Sequence, residues 1–288
     1  MFFNGISFPP APRTLPMYVR PRKKSPFWRP FFPPEKVVPR GDFLERRVTL
    51  SLPEVRKPCS MLLLSDLHWA NNQPERYRVL SECIQDEPAD WLLFGGDLYS
   101  FLENASSAWH WLATLPAKCG KIAVLGNRES IVDWLDHDFW RNSYQQYGFR
   151  CLINECWDTG SEGPVFFGLD DFRFGKPDWQ PCRALGNSGR LVITLSHNPD
   201  AIAEENENFV GHLCLSGHTH GGQVRLPILG APYTSSIYGN QFVSGWHLRN
   251  DQTLSHISAG IGESGFGFFR RRLRCPAEFT RIQLLPEK

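Results

Sequence analysis

Met61-Leu62-Leu63-Leu64-Ser65-Asp66-Leu67-His68 is an apolar run that stops at a serine and is followed at once by a carboxylate and an imidazole. Four apolar residues without polar alternation mark a strand buried on both faces, as strands in a parallel sheet are. The pattern returns. Trp91-Leu92-Leu93-Phe94 leads into Gly95-Gly96-Asp97, and Ile122-Ala123-Val124-Leu125 into Gly126-Asn127-Arg128-Glu129. Leu191 to Leu195 leads into Ser196-His197-Asn198-Pro199, and His212 to Leu215 into Ser216-Gly217-His218-Thr219-His220. The carboxyl ends of parallel strands line the ligand crevice of an open α/β sheet, so these endings are expected to meet in one pocket.

Between and beyond these runs, Pro74 to Gln85, Asn104 to Leu115 and Ile131 to Tyr147 read as helices. Trp109, Trp111, Trp134 and Trp140 fall at helix-like spacings and are expected in the core. Further strands fit Val165 to Leu169, Thr253 to Ser258 and Phe279 to Leu284, with few helices between them. The expectation is one α/β domain over residues 59–288, preceded by an extension over residues 1–58.

That extension differs in composition. Residues 1–60 hold twelve Lys or Arg against four acids, a net +8, which leaves −7 on the remainder. The run Ser25-Pro26-Phe27-Trp28-Arg29-Pro30-Phe31-Phe32-Pro33-Pro34 is rich in proline and aromatics and is expected to resist helix and strand alike. Two readings stand: an arm draped over its own domain, or a peripheral contact with an anionic membrane surface. The eight cysteines show no CxxC pair, which suits a reducing cytosol, and no apolar stretch approaches the roughly 20 residues of a membrane span. Nucleic acid is not expected as a partner, because the region that carries the motifs is net acidic.

The polar endings carry the chemistry. Asp66, His68, Asp97, Asn127, His197, His218 and His220 give four imidazoles, two carboxylates and an amide. Such a set fills a core well only around cations, since buried charge must be paired or coordinated. Mixed nitrogen and oxygen donors suit Mn²⁺, Fe²⁺ or Zn²⁺ better than Mg²⁺ or Ca²⁺. His218 and His220 can both turn inward only if their loop is not a regular strand, and Gly221-Gly222 allows that. His110, His137, His212, His247 and His256 lack motif context and are expected to be structural.

The series Asp-x-His, Gly-Asp, Gly-Asn-x-Glu, His and Gly-His-x-His resembles the calcineurin-like metallophosphoesterases, from about Ser60 to the C-terminus. The run Gly217 to Val224, with Gly168-Leu169-Asp170-Asp171 before it and Ser258 to Gly262 after it, is similar to a subgroup often held at the membrane by an N-terminal helix. The resemblance implies a four-layer α/β fold (α+β), with two mixed β-sheets sandwiched and flanked by helices. It also implies two divalent metal ions, Mn²⁺ first among them. Asp66, His68 and His220 would hold one, Asn127, His197 and His218 the other, and Asp97 would bridge them.

Most members of that family carry a histidine after the asparagine of the third motif, where this sequence has Arg128. Arginine stays charged and cannot act as a general acid, but it can clamp phosphate oxygens. A phosphate leaving group, with a second pKa near ~6, departs without the proton that an alkoxide needs. A pyrophosphate bond therefore suits Arg128. The Gly-Asn-Arg-acid pattern is similar to enzymes that cleave UDP-2,3-diacylglucosamine to UMP and a lipid monosaccharide phosphate in lipid A synthesis. Arg128, Asn127 and His197 are then the expected catalytic residues, and Arg128 and Trp69 the substrate contacts. The alternatives are a phosphodiesterase of another substrate, such as a glycerophospholipid or cyclic nucleotide, or a non-catalytic scaffold. Arg128 could instead be a neutral variant or pair with Glu129 or Asp133. Asp170 and Asp171 either support the site or make a turn. Phe266 to Arg272, apolar and basic, could face lipid or a diphosphate, or form a strand flanked by surface charge. The expected location is cytoplasmic, at the inner face of the cytoplasmic membrane.

Overall fold

The computed structural model describes residues 2–3, 6–7, 23–25, 27–70, 74–186, 188–205, 208–249, 253–265 and 271–287. Residues 8–22, with Arg20 and Arg22, and residues 266–270 of the basic apolar run lie outside them. A ribbon of β1 (Phe2–Phe3) and β2 (Ile6–Ser7) stands apart from two seven-stranded sheets. The first sheet runs β4 (Glu35–Arg40), β5 (Phe43–Leu52), β16 (Ala277–Pro286), β6 (Cys59–Leu64), β7 (Trp91–Phe94), β8 (Gly120–Ala123) and β9 (Arg150–Cys151). The second runs β10 (Glu155–Asp158), β11 (Val165–Gly168), β12 (Val192–Leu195), β13 (Leu213–Ser216), β15 (Thr253–Ile257), β14 (Gly245–Arg249) and β3 (Trp28–Phe31).

Both sheets are mixed, but each has a parallel centre: β6 to β9 in the first and β11, β12, β13 and β15 in the second. Side-chain alternation then builds the layers. Met61, Leu63, Trp91 and Leu93 point from the first sheet into a core shared with Phe166, Ile193, Leu195, Leu213 and Leu215 of the second. Leu62, Leu64, Leu92 and Phe94 face the other way, onto Tyr77, Leu80, Trp109, Trp140 and Tyr144. Those five residues come from helices α1 (Pro74–Gln85), α2 (Ala105–Thr114) and α4 (His137–Gln146). Val165, Phe167 and Val192 pack outward on Cys182 of α5 (Gln180–Arg183) and on Ala201 to Ala203 of α6 (Pro199–Glu204). The result is the expected four layers, helices outside and two mixed sheets within, and it explains why the strands are apolar throughout.

Several local expectations are corrected. The helix expected from Ile131 starts only at His137, because the Asp136 side chain accepts the Phe139 amide at 2.8 Å and caps it there. The chain before it makes only a short turn, α3 (Asn127–Ser130). Trp134 therefore lies off the helix, and it is 46% exposed, whereas Trp109 and Trp140 are buried. Residues 28–31 and 35–40 form strands despite Pro30 and Pro39, and residues 43–52 form a third. Among the described residues no helix is long and apolar enough to cross a membrane, and all eight cysteines are free thiols.

Candidate metal centre

The loops after β6, β7 and β8 and those after β12 and β13 converge at one edge of the sandwich. Backbone bonds lace them: Asp66 N to Gly96 O at 2.9 Å, His68 N to Asp97 O at 3.0 Å, and Gly217 N to His197 O at 3.0 Å. The two sheets are joined where the His218 amide donates to both Asp66 carboxylate oxygens at 3.0 Å and His197 Nδ1 meets Gly95 O at 2.7 Å. Gly217 is required by this closeness, because a Cβ there would lie 1.8 Å from Ser65 Oγ and 2.2 Å from Asp66 Oδ2.

Five of the seven expected site residues hold left-handed backbone: Asp66 (φ 53°), His68 (41°), Asp97 (57°), His218 (69°) and His220 (52°). This region is costly for residues with a Cβ, least so for Asp, Asn and His, and such strain gathers at functional sites. It is also how His218 and His220 both turn inward from a chain that no longer runs as a strand.

The donors fall into two groups. Asp66, His68, Asp97 and His220 each offer one ligand atom, and all four atoms lie within 4.8 Å of one another. His68 Nε2 stands 2.9 Å from His220 Nε2 and 3.2 Å from Asp97 Oδ2, and His220 Nε2 is 3.4 Å from Asp66 Oδ1. In the second group Asn127 Oδ1 is 2.8 Å from His218 Nδ1 and 3.2 Å from His197 Nε2, and the two imidazole nitrogens are 3.2 Å apart. Asp97 faces both groups, with Oδ2 on His68 and Oδ1 at 3.5 Å from His197 Nε2.

This packing demands positive charge. With Nδ1 donating to Gly95 O, a neutral His197 would aim the lone pair of Nε2 at the Asn127 carbonyl oxygen, two acceptors face to face. Burial pulls the His197 imidazole down, but the Asp97, Asp66 and Asp171 carboxylates push it up to about 9. Burial raises Asp66 in turn, against the pull of His197. Asp97 is buried too, yet His197, His68 and Arg128 hold it well below the ordinary carboxylate range. His218 is driven down by burial to about 3, with His197 adding to the effect, and burial also holds His220 well below its usual value. The imidazoles of His218 and His220, held neutral, and the ionised Asp97 that faces both groups fit divalent transition-metal ions at these separations.

Around this core, Arg128 donates its backbone amide to Asp97 Oδ1 at 2.8 Å and makes no side-chain ion pair among the described residues. The pairing of Arg128 with Glu129 or Asp133 is not formed. Glu129 instead turns inward and is fully buried, accepting the amides of Leu98, Gly126 and Asp97. Burial raises its carboxyl to about 7. Asp170 and Asp171 do make the turn, taking the amides of Asp171, Lys176, Arg173 and Phe174. Trp69, next to His68 in the chain, stacks on Tyr77 at 4.0 Å and meets Trp111 at 5.4 Å with the rings tilted, and all three line a cavity of about 470 Å³.

Arg272 carries a role that the sequence did not reveal. Its guanidinium lies under the site and donates to the carbonyls of Ala259 (2.7 Å), Gly260 (3.0 Å), Gly262 (2.6 Å) and His220 (3.4 Å). It was one arginine among several in a basic run, and nothing local distinguished it. Of the other histidines, His256 is buried against Thr280 and Trp246, and His247 stacks on Phe242.

A family model described as calcineurin-like phosphoesterase matches residues 60–222. The chain is 28% identical to Phosphodiesterase YaeI of Escherichia coli over 237 residues, covering 79% of this chain and 83% of that protein. It is 30% identical over 223 residues to the uncharacterized metallophosphoesterase YkoQ of Bacillus subtilis, covering 73% and 78%. It is 24% identical over 281 residues to UDP-2,3-diacylglucosamine pyrophosphatase LpxG of Chlamydia muridarum, covering 78% and 83%. With that family model spanning more than half of its length, the chain belongs to the calcineurin-like phosphoesterases and is a metal-dependent hydrolase.

Proposed function

We propose that the chain hydrolyses the pyrophosphate of UDP-2,3-diacylglucosamine to UMP and 2,3-diacylglucosamine 1-phosphate. The observation that carries this reading is the state of Arg128. Its carboxylate neighbour Glu129 is spent on three backbone amides, so the Arg128 guanidinium remains available to an anionic substrate beside Asp97. A guanidinium holds phosphoryl oxygens and stabilises growing negative charge without supplying a proton. Such a site suits a phosphate leaving group better than an alkoxide. Similarity to the chlamydial pyrophosphatase supports the same substrate at low identity.

In this reading Asp66, His68 and His220 hold one divalent ion, Asn127, His197 and His218 a second, and Asp97 both, with Mn²⁺ the first candidate. When bound, such ions neutralise phosphoryl charge and acidify water. Asn127 and His197 would act on the phosphoryl group through the ion they hold, and the Arg128 guanidinium would clamp its oxygens. The Trp69 ledge receives an apolar or planar part of the substrate.

A second reading, a phosphodiesterase, is favoured by the 28% identity to the Escherichia coli phosphodiesterase. Purified protein with Mn²⁺ should release UMP from UDP-2,3-diacylglucosamine, and Asp97→Ala should abolish it. Turnover of an aryl phosphodiester alone would replace the pyrophosphatase reading with the phosphodiesterase.

A further inference from the structure

Leu226-Pro227-Ile228-Leu229 forms the tip of a hairpin in which every residue is exposed and apolar. Ile228 is 105% exposed, so its side chain projects fully into solvent, and Leu229 is 71% exposed. The tip is nevertheless held in one shape. Leu226 N donates to Gly230 O at 2.8 Å, Gly230 N to Leu226 O at 3.0 Å, and Ala231 N to Asn240 Oδ1 at 3.0 Å. Ile228 sits at φ 68°, a left-handed conformation that a β-branched residue strongly disfavours. A strained apolar side chain is thus held outward.

The base of the hairpin lies against residues 271–275, through Arg225 N to Leu273 O at 2.9 Å and Leu273 N to Gln223 O at 2.8 Å. Leu273 there is also exposed, at 43%, with the exposed Arg271 and Arg274 on either side. Neither arginine forms an ion pair among the described residues. The combination is a convex apolar tip with a cationic collar. The same backbone leads within a few residues to His220, and Arg272 from the collar segment holds the His220 carbonyl.

We infer that residues 226–229 insert into the interfacial layer of an anionic lipid bilayer, with Arg271 and Arg274 on the headgroups, and so set the metal centre at the membrane surface. Apolar side chains that enter the acyl boundary beneath basic ones are the pattern of interfacial anchors. A four-residue projection is too small for a protein interface of about 800 Å² per partner, whereas a bilayer accepts a small convex wedge. The inference rests on the reading of the substrate as a membrane lipid, and the test separates the two.

Co-sedimentation of the full chain is measured with phosphatidylethanolamine vesicles containing phosphatidylglycerol, and with phosphatidylcholine vesicles, in the absence of substrate. The wild type should pellet with the anionic vesicles. Ile228→Gly and Leu229→Gln should each weaken that binding about tenfold, and Arg271→Gln with Arg274→Gln should remove the preference for anionic lipid. Ile228→Gly relieves the left-handed strain, so it should melt no lower than the wild type, and its loss of binding is not a loss of folding. Wild-type protein that stays in the supernatant, or tip variants that bind undiminished, would overturn the inference. A change of oligomeric state in the tip variants would also overturn it and assign the surface to a second copy. Detergent-dispersed UDP-2,3-diacylglucosamine reads the substrate separately: hydrolysis without vesicle binding sinks the anchor alone, and vesicle binding without hydrolysis sinks the substrate alone.

Discussion

Glu129 Oε1 accepts the backbone amide of Leu98 at 2.7 Å while its Oε2 takes the amides of Gly126 at 2.8 Å and Asp97 at 3.1 Å. One buried carboxylate therefore ties the loop after β7 to the loop after β8, and Asp97 and Asn127 ride on the tied segments. Hydrogen bonds to a charged acceptor are worth about 1.5–3 kcal/mol each, and the three buried donors would be left unpaired without it. Glu129→Ala is expected to cost about 4 kcal/mol of stability and most of the metal affinity. Glu129→Gln, which keeps the shape and loses one accepting oxygen, should cost roughly half as much. Thermal unfolding with metal analysis checks this, and an alanine variant with wild-type stability and metal content would refute it.

Metal removal should destabilise the fold as well as stop hydrolysis. The Nε2 atoms of His68 and His220 stand 2.9 Å apart beside two carboxylates, and five of the converging residues hold left-handed backbone. A cation compensates both costs. Saturation at a hundred times the dissociation constant would add about 2.7 kcal/mol, read as a rise in melting temperature when Mn²⁺ is added to chelated protein. Equilibrium dialysis should find two ions per chain, fewer in Asn127→Ala and almost none in Asp97→Ala. A wild type that binds no metal would contradict the arrangement.

Much of this centre was legible because buried strands announce themselves as apolar runs, and a polar residue at the end of such a run must sit at the sheet edge. The convergence of Asp66, Asp97, Asn127, His197 and His218 was expected on that ground. What was missed has physical reasons. Pro30 and Pro39 argued against strands, but β3 and β4 are the outer strands of their sheets, where a residue without an N–H is tolerated. In β5 the alternation of Val48, Leu50 and Leu52 was a usable signal, masked by Glu45, Arg46 and Arg47. Those charges are accommodated because Glu45 and Arg281 pair inside the sheet. For Arg272 no local pattern distinguishes a buried carbonyl clamp from a surface charge, since its partners come from loops 10 and 52 residues away.

Arg272→Lys tests that clamp. Lysine keeps the charge but cannot span the carbonyls of Ala259, Gly260 and Gly262 with one planar fork. We expect a loss of about 2–4 kcal/mol from unpaired carbonyls and lost packing. Turnover should fall more than substrate affinity, because the His220 loop loosens while Arg128 is untouched. Unchanged turnover in a stable variant would remove Arg272 from the account.

Gly217→Ala should damage the site more than the fold. The added Cβ would collide with Ser65 Oγ and the Asp66 carboxylate, so either Asp66 moves or the two sheets part. Ser65 donates to Asp66 Oδ2 at 2.7 Å, and that bond would be broken as well. Overpacking of this kind costs about 1–3 kcal/mol. Metal binding by the group of Asp66, His68, Asp97 and His220 is expected to fall at least tenfold, measured by titration calorimetry. Retention of wild-type metal affinity would show that Asp66 does not need its present position.

Acid sensitivity should have one source far from the metals. Glu45 is buried, which by itself would raise its carboxyl, but hydrogen bonds from Arg281, Arg40 and Arg47 outweigh burial and hold it below the ordinary value of 4.5. Its folded pKa is thus depressed. The stability it contributes is present above the unfolded value of 4.5 and is lost as pH falls through the lower folded value. At neutral pH Glu45→Gln removes the carboxylate partner of Arg281, which is buried, and of Arg40, which is partly screened by water, while Arg47 keeps its pair with Glu87. About 3 kcal/mol is therefore expected. Urea unfolding of wild type and variant at neutral pH and below pH 4.5 should show the gap between them narrowing in acid. A gap independent of pH would show that the charge on Glu45 contributes nothing to the join between β5 and β16.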